Sequence, residues 1–171
     1  MRPHQLSTFL SHQTLFKDLS LAETQSVAAR MEVLEFEDDD EIFAEGQPCD
    51  GWYVIVEGEV AIVKSGVGGL DHDLAQLESG EGFGEMGLID DAPRLATATA
   101  VGETTLARLP LGAFRAMMKD EGSVAARIVL AMARVLVQRQ RALTAILTDL
   151  VDDPETAAPG PREMMSLLLL R

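Results

Sequence analysis

Glu85 and Arg94 are the two side chains of this sequence best placed to do chemistry together, within the stretch 82–98, GFGEMGLIDDAPRLATA. A guanidinium pairs bidentately with a phosphate, whereas a carboxylate can only accept hydrogen bonds, which suits a sugar hydroxyl. Gly82, Gly84 and Gly87, three glycines within six residues, carry no Cβ to hold a ligand away, and left-handed dihedrals cost them little. Residues 85–91 read as one or two helical turns stopped by Pro93, so that N–H groups at the helix start can face an anion. A ribose phosphate satisfies both side chains. Glycines alone also fit a tight turn, and the acid and the arginine a surface ion pair worth little. It is the register of glycines, acid, proline and arginine after a β segment that points to a ligand.

The elements that must hold this pair follow from a change of apolar period along the chain. Leu6, Phe9, Leu10, Leu15, Phe16 and Leu19 recur at helical spacing. A second helix begins after Ser20, which forms a capping box with Glu23, and carries Leu21, Val27, Ala28 and Met31. From about 32 to 110 the period is two: Val33 and Phe36, Ile42 and Phe43, then 53–56, 60–63, 74–77, 97–101 and 105–109 read as short strands between glycine and acidic turns, the pattern of a sandwich or barrel. Pro110 ends the sheet, and 111–119 reads as a helix turning Phe114, Met117 and Met118 inward.

Ser123 is the expected cap of a long helix reaching about Leu150. Its seam, Val129, Met132, Leu136, Arg139, Leu143, Ile146 and Leu150, alternates steps of three and four as a coiled coil does, which predicts a homodimer through residues 123–150. Burial of that seam against the chain's own β domain is the alternative. Residues 151–162, rich in proline, glycine and acid, read as a linker. The hydrophobic tail 163–171 reads either as a docking peptide, for this domain or for an unknown downstream protein, or as a fraying end. The chain thus divides into an N-terminal helical region (1–31), a β-roll (32–119), a long helix (120–150), and a linker with tail (151–171).

Other chemistry finds little support. His4, His12 and His72 are scattered, and the acidic run Glu35, Glu37, Asp38, Asp39, Asp40 and Glu41 lacks ligand spacing and reads as a solvated turn. Cys49 is the only cysteine, so neither an internal disulfide nor a thiolate metal cage can form. With no nucleophile beside a base, neither an enzyme nor a metal protein is expected. A net charge of −14 repels phosphate backbones and argues against a nucleic-acid partner. There is no signal-like apolar run and no stretch of about 18 apolar residues to span a membrane. A cytoplasmic protein is expected.

The stretch 82–98 resembles the phosphate-binding cassette of the cyclic-nucleotide-binding domain, the module of catabolite activator proteins and of the regulatory subunits of cyclic-nucleotide-dependent kinases. That family's pattern, F-G-E, a hydrophobic residue, a small residue and L, then P-R, a small residue and A-T, is matched by Phe83, Gly84, Glu85, Met86, Gly87 and Leu88, and by Pro93, Arg94, Leu95, Ala96 and Thr97. Residues 45–60 resemble a second signature, in which glycines mark the corners of a jelly-roll, and 15–20 resemble the segment leading into it. The resemblance implies an α+β fold: a β jelly-roll, or double-stranded β-helix, flanked by an N-terminal helical bundle and a long C-terminal helix.

It also implies a ligand, cAMP ahead of cGMP, and no metal. Glu85 takes the ribose 2′-hydroxyl, Arg94 the cyclic phosphate, and the N–H groups of Met86, Gly87 and Leu95 the remaining phosphate oxygens, while Arg139 and Gln140 fall near the base. One position departs: where the family usually has Ala, Ser or Thr, Leu95 offers no hydroxyl and adds bulk beside the ligand. Transcription factors of the family place a helix-turn-helix after the long helix, but only about 21 residues follow it here, with no basic patch. The sequence reading is a stand-alone sensor that relays nucleotide binding through its C-terminal helix to a partner protein; the alternative is a nucleotide-free dimeric scaffold of the same fold.

Overall fold

Local signals set the first elements of the computed structural model, which describes residues 2–66 and 71–152. Pro3 opens α1 (Pro3–Ser11), where its missing N–H costs nothing. A 3-10 turn (Thr14–Phe16) leads to α2 (Leu21–Ala28). The expected capping box is present: Ser20 Oγ accepts from the Glu23 N–H at 3.4 Å, and Glu23 Oε2 accepts from the Ser20 N–H at 2.8 Å. Leu6, Leu10, Leu15, Phe16, Val27 and Ala28 are buried as their spacing requires, but Leu21 is 58% exposed. As the first residue of α2 it lies ahead of the turns that meet the core.

Six strands follow: β1 (Glu32–Phe36), β2 (Glu41–Phe43), β3 (Gly51–Ser65), β4 (Asp71–Glu78), β5 (Gly82–Phe83) and β6 (Thr97–Pro110). Every pairing is antiparallel, in the order β1-β6-β3-β4, with β2 on β6 and β5 on β3. This is a jelly-roll arrangement with helices at both ends, open at β1 and β4 rather than closed into a barrel. The segments 53–56 and 60–63, expected as separate strands, are one strand, and so are 97–101 and 105–109. The glycines between them bend the chain without ending it. Gly58 has φ +87°, a Cβ there would lie 2.5 Å from Glu103 O, and the β3–β6 register shifts on either side of Glu57. Thr104 Oγ1 bridges the bend by donating to Glu59 O at 3.0 Å.

Alternation along β3 divides the core in two. Trp52, Val54 and Val56 face a cluster built with α1, α2 and the helices after β6, while Tyr53, Ile55 and Val60 face the inside of the roll with Phe43, Leu77, Phe83, Ala98 and Leu106. A strand buried on both faces reads as a continuous apolar run, as 52–56 does. Phe16 stacks on Trp52 with ring centroids 5.9 Å apart, a contact worth about 0.5–1.5 kcal/mol beyond area burial.

Two helices follow β6 among the described residues, α4 (Leu111–Asp120) and α5 (Gly122–Asp152). Phe114 and Met117 are buried as expected, but Met118 is exposed on the outer face of α4. The start of α5 also differs from expectation. The helix starts at Gly122, ahead of Ser123, and the Glu121 carbonyl accepts its first bonds, from the N–H groups of Val124 and Ala125 at 2.9 and 3.1 Å. The seam read from the sequence is largely taken up internally, since Met132 is buried and Val129 packed in the chain's own helical core. None of the described helices is long and apolar enough to cross a membrane. The linker was expected from residue 151, but α5 runs on through Asp152; the rest of the linker and the tail lie outside the described residues, as do the side chains of Ile146 and Leu150.

Candidate functional site

Gly84 is the joint on which the site is built. It connects β5 to the short α3 (Met86–Asp90) with φ +77°, and a Cβ there would lie 2.5 Å from Arg94 Nη1. Only glycine combines that dihedral with that contact. At Gly87 a Cβ would meet Ala92 O at 2.6 Å and Cys49 Cβ at 2.9 Å. The crowding that calls for glycine at both positions thus comes from the protein's own atoms. Pro93 was expected to stop the helix, but α3 already ends at Asp91, which adopts the left-handed conformation with φ +56°.

Arg94 is 4% exposed although it is charged. Its Nη1 donates to Gly84 O at 2.7 Å, and its Nη2 to Gly51 O at 2.8 Å and Asp50 Oδ1 at 2.5 Å. Cζ lies 4.0 Å from the centroid of Phe43, a cation–π contact in a desolvated setting. Phe43, Tyr53 and Phe83 stack and tilt against one another at centroid distances of 5.3–5.8 Å, fixing the floor beneath it.

Asp50 ties the site to the sheet. Its Oδ2 accepts from Tyr53 Oη at 2.7 Å and from Arg108 Nη1 at 2.9 Å, and Arg108 also pairs with Glu32. Burial by itself would raise the Asp50 carboxyl, but the hydrogen bonds from Tyr53, Arg94 and Arg108 and the charge of Arg94 outweigh it and hold the group below the usual carboxylate range. Burial, together with the bond to Asp50, pushes the Tyr53 phenol up to about 12.

The long helix supplies the opposite wall. Glu85 is 3% exposed, and its Oε1 accepts from Arg139 Nη1 at 3.0 Å, while Arg139 Nη2 donates to Gly82 O at 3.1 Å. Arg139 therefore points at its own domain and not into a helix–helix seam. Among the described residues three buried side-chain atoms have no hydrogen-bonding partner: Glu85 Oε2, Arg94 Nε and Arg108 Nε. Two of the three belong to residues that line one cavity, of about 410 Å³. An unsatisfied buried polar group costs about 1–3 kcal/mol, and more when charged. A molecule bringing a hydroxyl and an anionic oxygen would relieve both.

All ten residues singled out from the sequence, Phe83, Gly84, Glu85, Met86, Gly87, Arg94, Leu95, Ala96, Arg139 and Gln140, line this cavity. Sequence reasoning missed the rest of the wall: Phe43, Ile62, Leu74, Ala75, Leu77, Leu136 and Leu143. Leu136 and Leu143 stood in the expected dimer seam, and nothing in their spacing separates a ligand-facing leucine from a partner-facing one. Asp50 was missed too, and the signal that could have found it is its place beside Gly51 at the start of the second signature. The described residues contain no group of His, Cys, Asp or Glu that could hold a metal.

The cyclic nucleotide-binding domain model matches residues 33–121. The cAMP-dependent protein kinase regulatory subunit of Mucor circinelloides f. lusitanicus is 37% identical over 110 residues, which are 64% of this chain and 26% of that protein. This chain therefore spans about a quarter of that relative's length. The regulatory domain of Toxoplasma gondii PKA, solved with cAMP, aligns at 27% identity with a TM-score of 0.68, covering 78% of this chain and 50% of that one. A cyclic nucleotide-binding domain from Methylobacillus flagellatus KT shares the fold, with 24% identity and a TM-score of 0.72 over 81% of this chain and 78% of that one. With the family model spanning more than half of its residues, the cassette and the roll around it included, this chain belongs to the cyclic nucleotide-binding domain family.

Proposed function

We propose that the protein is a cytoplasmic regulatory module that binds cAMP, with cGMP second, in the cavity between the roll and α5, and passes the bound state to a partner protein through that helix. The observation that carries this reading is that Glu85 and Arg94, which line one cavity, each keep a buried atom without a partner, Oε2 and Nε. A ribose 2′-hydroxyl donates to the first, and a cyclic phosphate accepts from the second. Gly87, Leu95 and Ala96 line the same space. Arg139, already bound to Glu85, is the link by which occupancy reaches α5. In this reading residues 1–31 and 32–119 hold the site, 120–150 reads it out, and 151–171 serves the partner. The function is not catalytic.

Calorimetry on the purified chain tests the assignment. Arg94→Ala should lower cAMP affinity by about 1.5–3 kcal/mol, the worth of a hydrogen bond to a charged group. Because Asp50 loses a partner in that variant, Glu85→Gln, which keeps shape and folding, should weaken binding as well. Equal affinity for all three proteins would refute the site.

A second reading is favoured by a different observation. The Nη groups of Arg94 and Oε1 of Glu85 are satisfied by Asp50, Gly51, Gly84 and Arg139, so much of the site holds together without a ligand. A nucleotide-free scaffold would be built this way, with Leu95 beside the cavity. Absence of heat with cAMP at millimolar concentration would select it.

A further inference from the structure

One ion pair at the surface of the roll closes around the chain segment that follows Arg94. Lys64, on β3, donates from Nζ to Glu45 Oε1 at 2.5 Å and to the backbone carbonyl of Leu95 at 2.8 Å. Glu45 is fixed in turn, since its Oε2 accepts from the Ser65 N–H at 3.1 Å and its own N–H donates to Thr97 Oγ1 at 3.0 Å. Hydrogen bonds from Lys64 and from the Ser65 N–H hold the Glu45 carboxyl below the usual carboxylate range. The two side chains are 37% and 30% exposed, and neither lines the cavity. A pair so open to solvent stabilises a fold little.

What the pair holds is the backbone of Leu95. The side chain of Leu95 is 55% exposed, so burial does not set the conformation of the residue. Two backbone contacts do. The Gly46 N–H donates to Arg94 O at 2.9 Å, and Lys64 takes Leu95 O on the C-terminal side. A peptide group is planar and trans, so fixing a carbonyl also fixes the N–H that follows it, pointing the opposite way. The Leu95 N–H is thereby turned away from Gly46, and among the described residues it donates to no protein acceptor. Leu95 lines the cavity with Arg94, whose own N–H is taken up by Gln47 O at 2.8 Å.

We infer that Lys64 and Glu45 are positioning residues of the anion site: they hold the Leu95 backbone so that its free N–H is presented beside the Arg94 guanidinium, and they contribute to affinity far more than to stability. This rests on the assignment of the cavity to a cyclic phosphate proposed above. Two accounts of Lys64 make opposite claims about its neighbour. A lysine that only draws in an anion by its charge gains when the Glu45 carboxylate is removed, because the site becomes more positive. A lysine that acts by position loses, because its four-carbon stem is flexible and Glu45 is what holds the ammonium group on the carbonyl.

The test is titration calorimetry of the full chain with cAMP, with a thermal melt of each variant. Lys64→Met and Glu45→Ala should each weaken binding about tenfold, the order of one hydrogen bond to a charged group. Their melting temperatures should stay within about 4 °C of the wild type, as expected when a solvent-exposed pair is lost. Unchanged or tighter binding by Glu45→Ala would overturn the inference. So would affinity losses accompanied by a melting temperature lowered by more than about 10 °C, which would make the pair a support of the fold. If Arg94→Ala loses affinity while Lys64→Met keeps it, the positioning role falls and the cavity assignment stands. Absence of binding by the wild type at millimolar cAMP would overturn both.

Discussion

Arg94 directs both Nη groups at protein acceptors, while its buried Nε has none, so the guanidinium is anchored at two of its three nitrogens and left unpaired at the third. Asp50 is the one charged acceptor among the three, and its charge is shared with Arg108. The carboxyl is held below its usual range in the folded protein. Its contribution to stability is therefore complete above the unfolded value of about 3.9 and is lost as the pH falls through the lowered folded value. Asp50→Asn should melt below the wild type at pH 7, and the gap should close in acid as the wild-type carboxyl takes up its proton. Thermal melts between pH 7 and about pH 3 read this directly; a gap of constant size would mean that Asp50 is not charged in the folded state.

At the scale of elements, the joint between β5 and α3 converts a backbone requirement into a binding one. Gly84→Ala places a Cβ against the Arg94 guanidinium in a left-handed conformation that costs an L-residue about 1–2 kcal/mol. The variant should remain folded with a lower melting temperature, and its cAMP affinity should fall toward that of Arg94→Ala; a lower melting temperature with unchanged affinity would show that Arg94 keeps its place. Gly84 was legible in the sequence because cassette residues are contiguous, and their order carries the geometry. The other wall was not. Ile62, Leu74 and Leu136 come from three elements that the roll brings together, and each reads locally as an ordinary core position. Gly58 and Gly102 were legible as bends but not as bends within one strand, because whether a glycine ends a strand depends on the ladder beside it, here on Thr104 bridging to Glu59. Arg139 was legible as a polar interruption of a seam, while its partner, Glu85, lies 54 residues earlier and could be found only through the fold.

For the whole molecule, α5 touches the cavity on one face and open solvent on the other. Its inner side carries Ile128, Met132 and Arg139 onto the domain, and its outer side exposes Leu130 and Val137, 49% and 50% accessible, one heptad apart with the small Ala133 between them. We propose that the homodimer forms on this outer stripe and not on the seam first read from the sequence, since Met132 and Arg139 are engaged inside their own chain. Each copy carries a net charge of −14, so association should strengthen as salt screens the repulsion. Sedimentation at tens of micromolar should show dimers at 0.5 M salt and weaker association at low salt, and Leu130→Glu with Val137→Glu should give folded monomers. On the proposed reading ligand acts through Arg139: a ribose hydroxyl on Glu85 would change the balance of the contact that holds α5 to the roll, so nucleotide and dimer affinity should be linked, each altering the other by the same factor. Arg139→Leu removes the contact but leaves the outer stripe intact. That variant should still dimerise, with a dissociation constant that no longer changes on adding cAMP. If it dimerises and still responds to nucleotide as the wild type does, the signal leaves the site by another route; if the wild type is monomeric under all these conditions, the stripe serves no second copy.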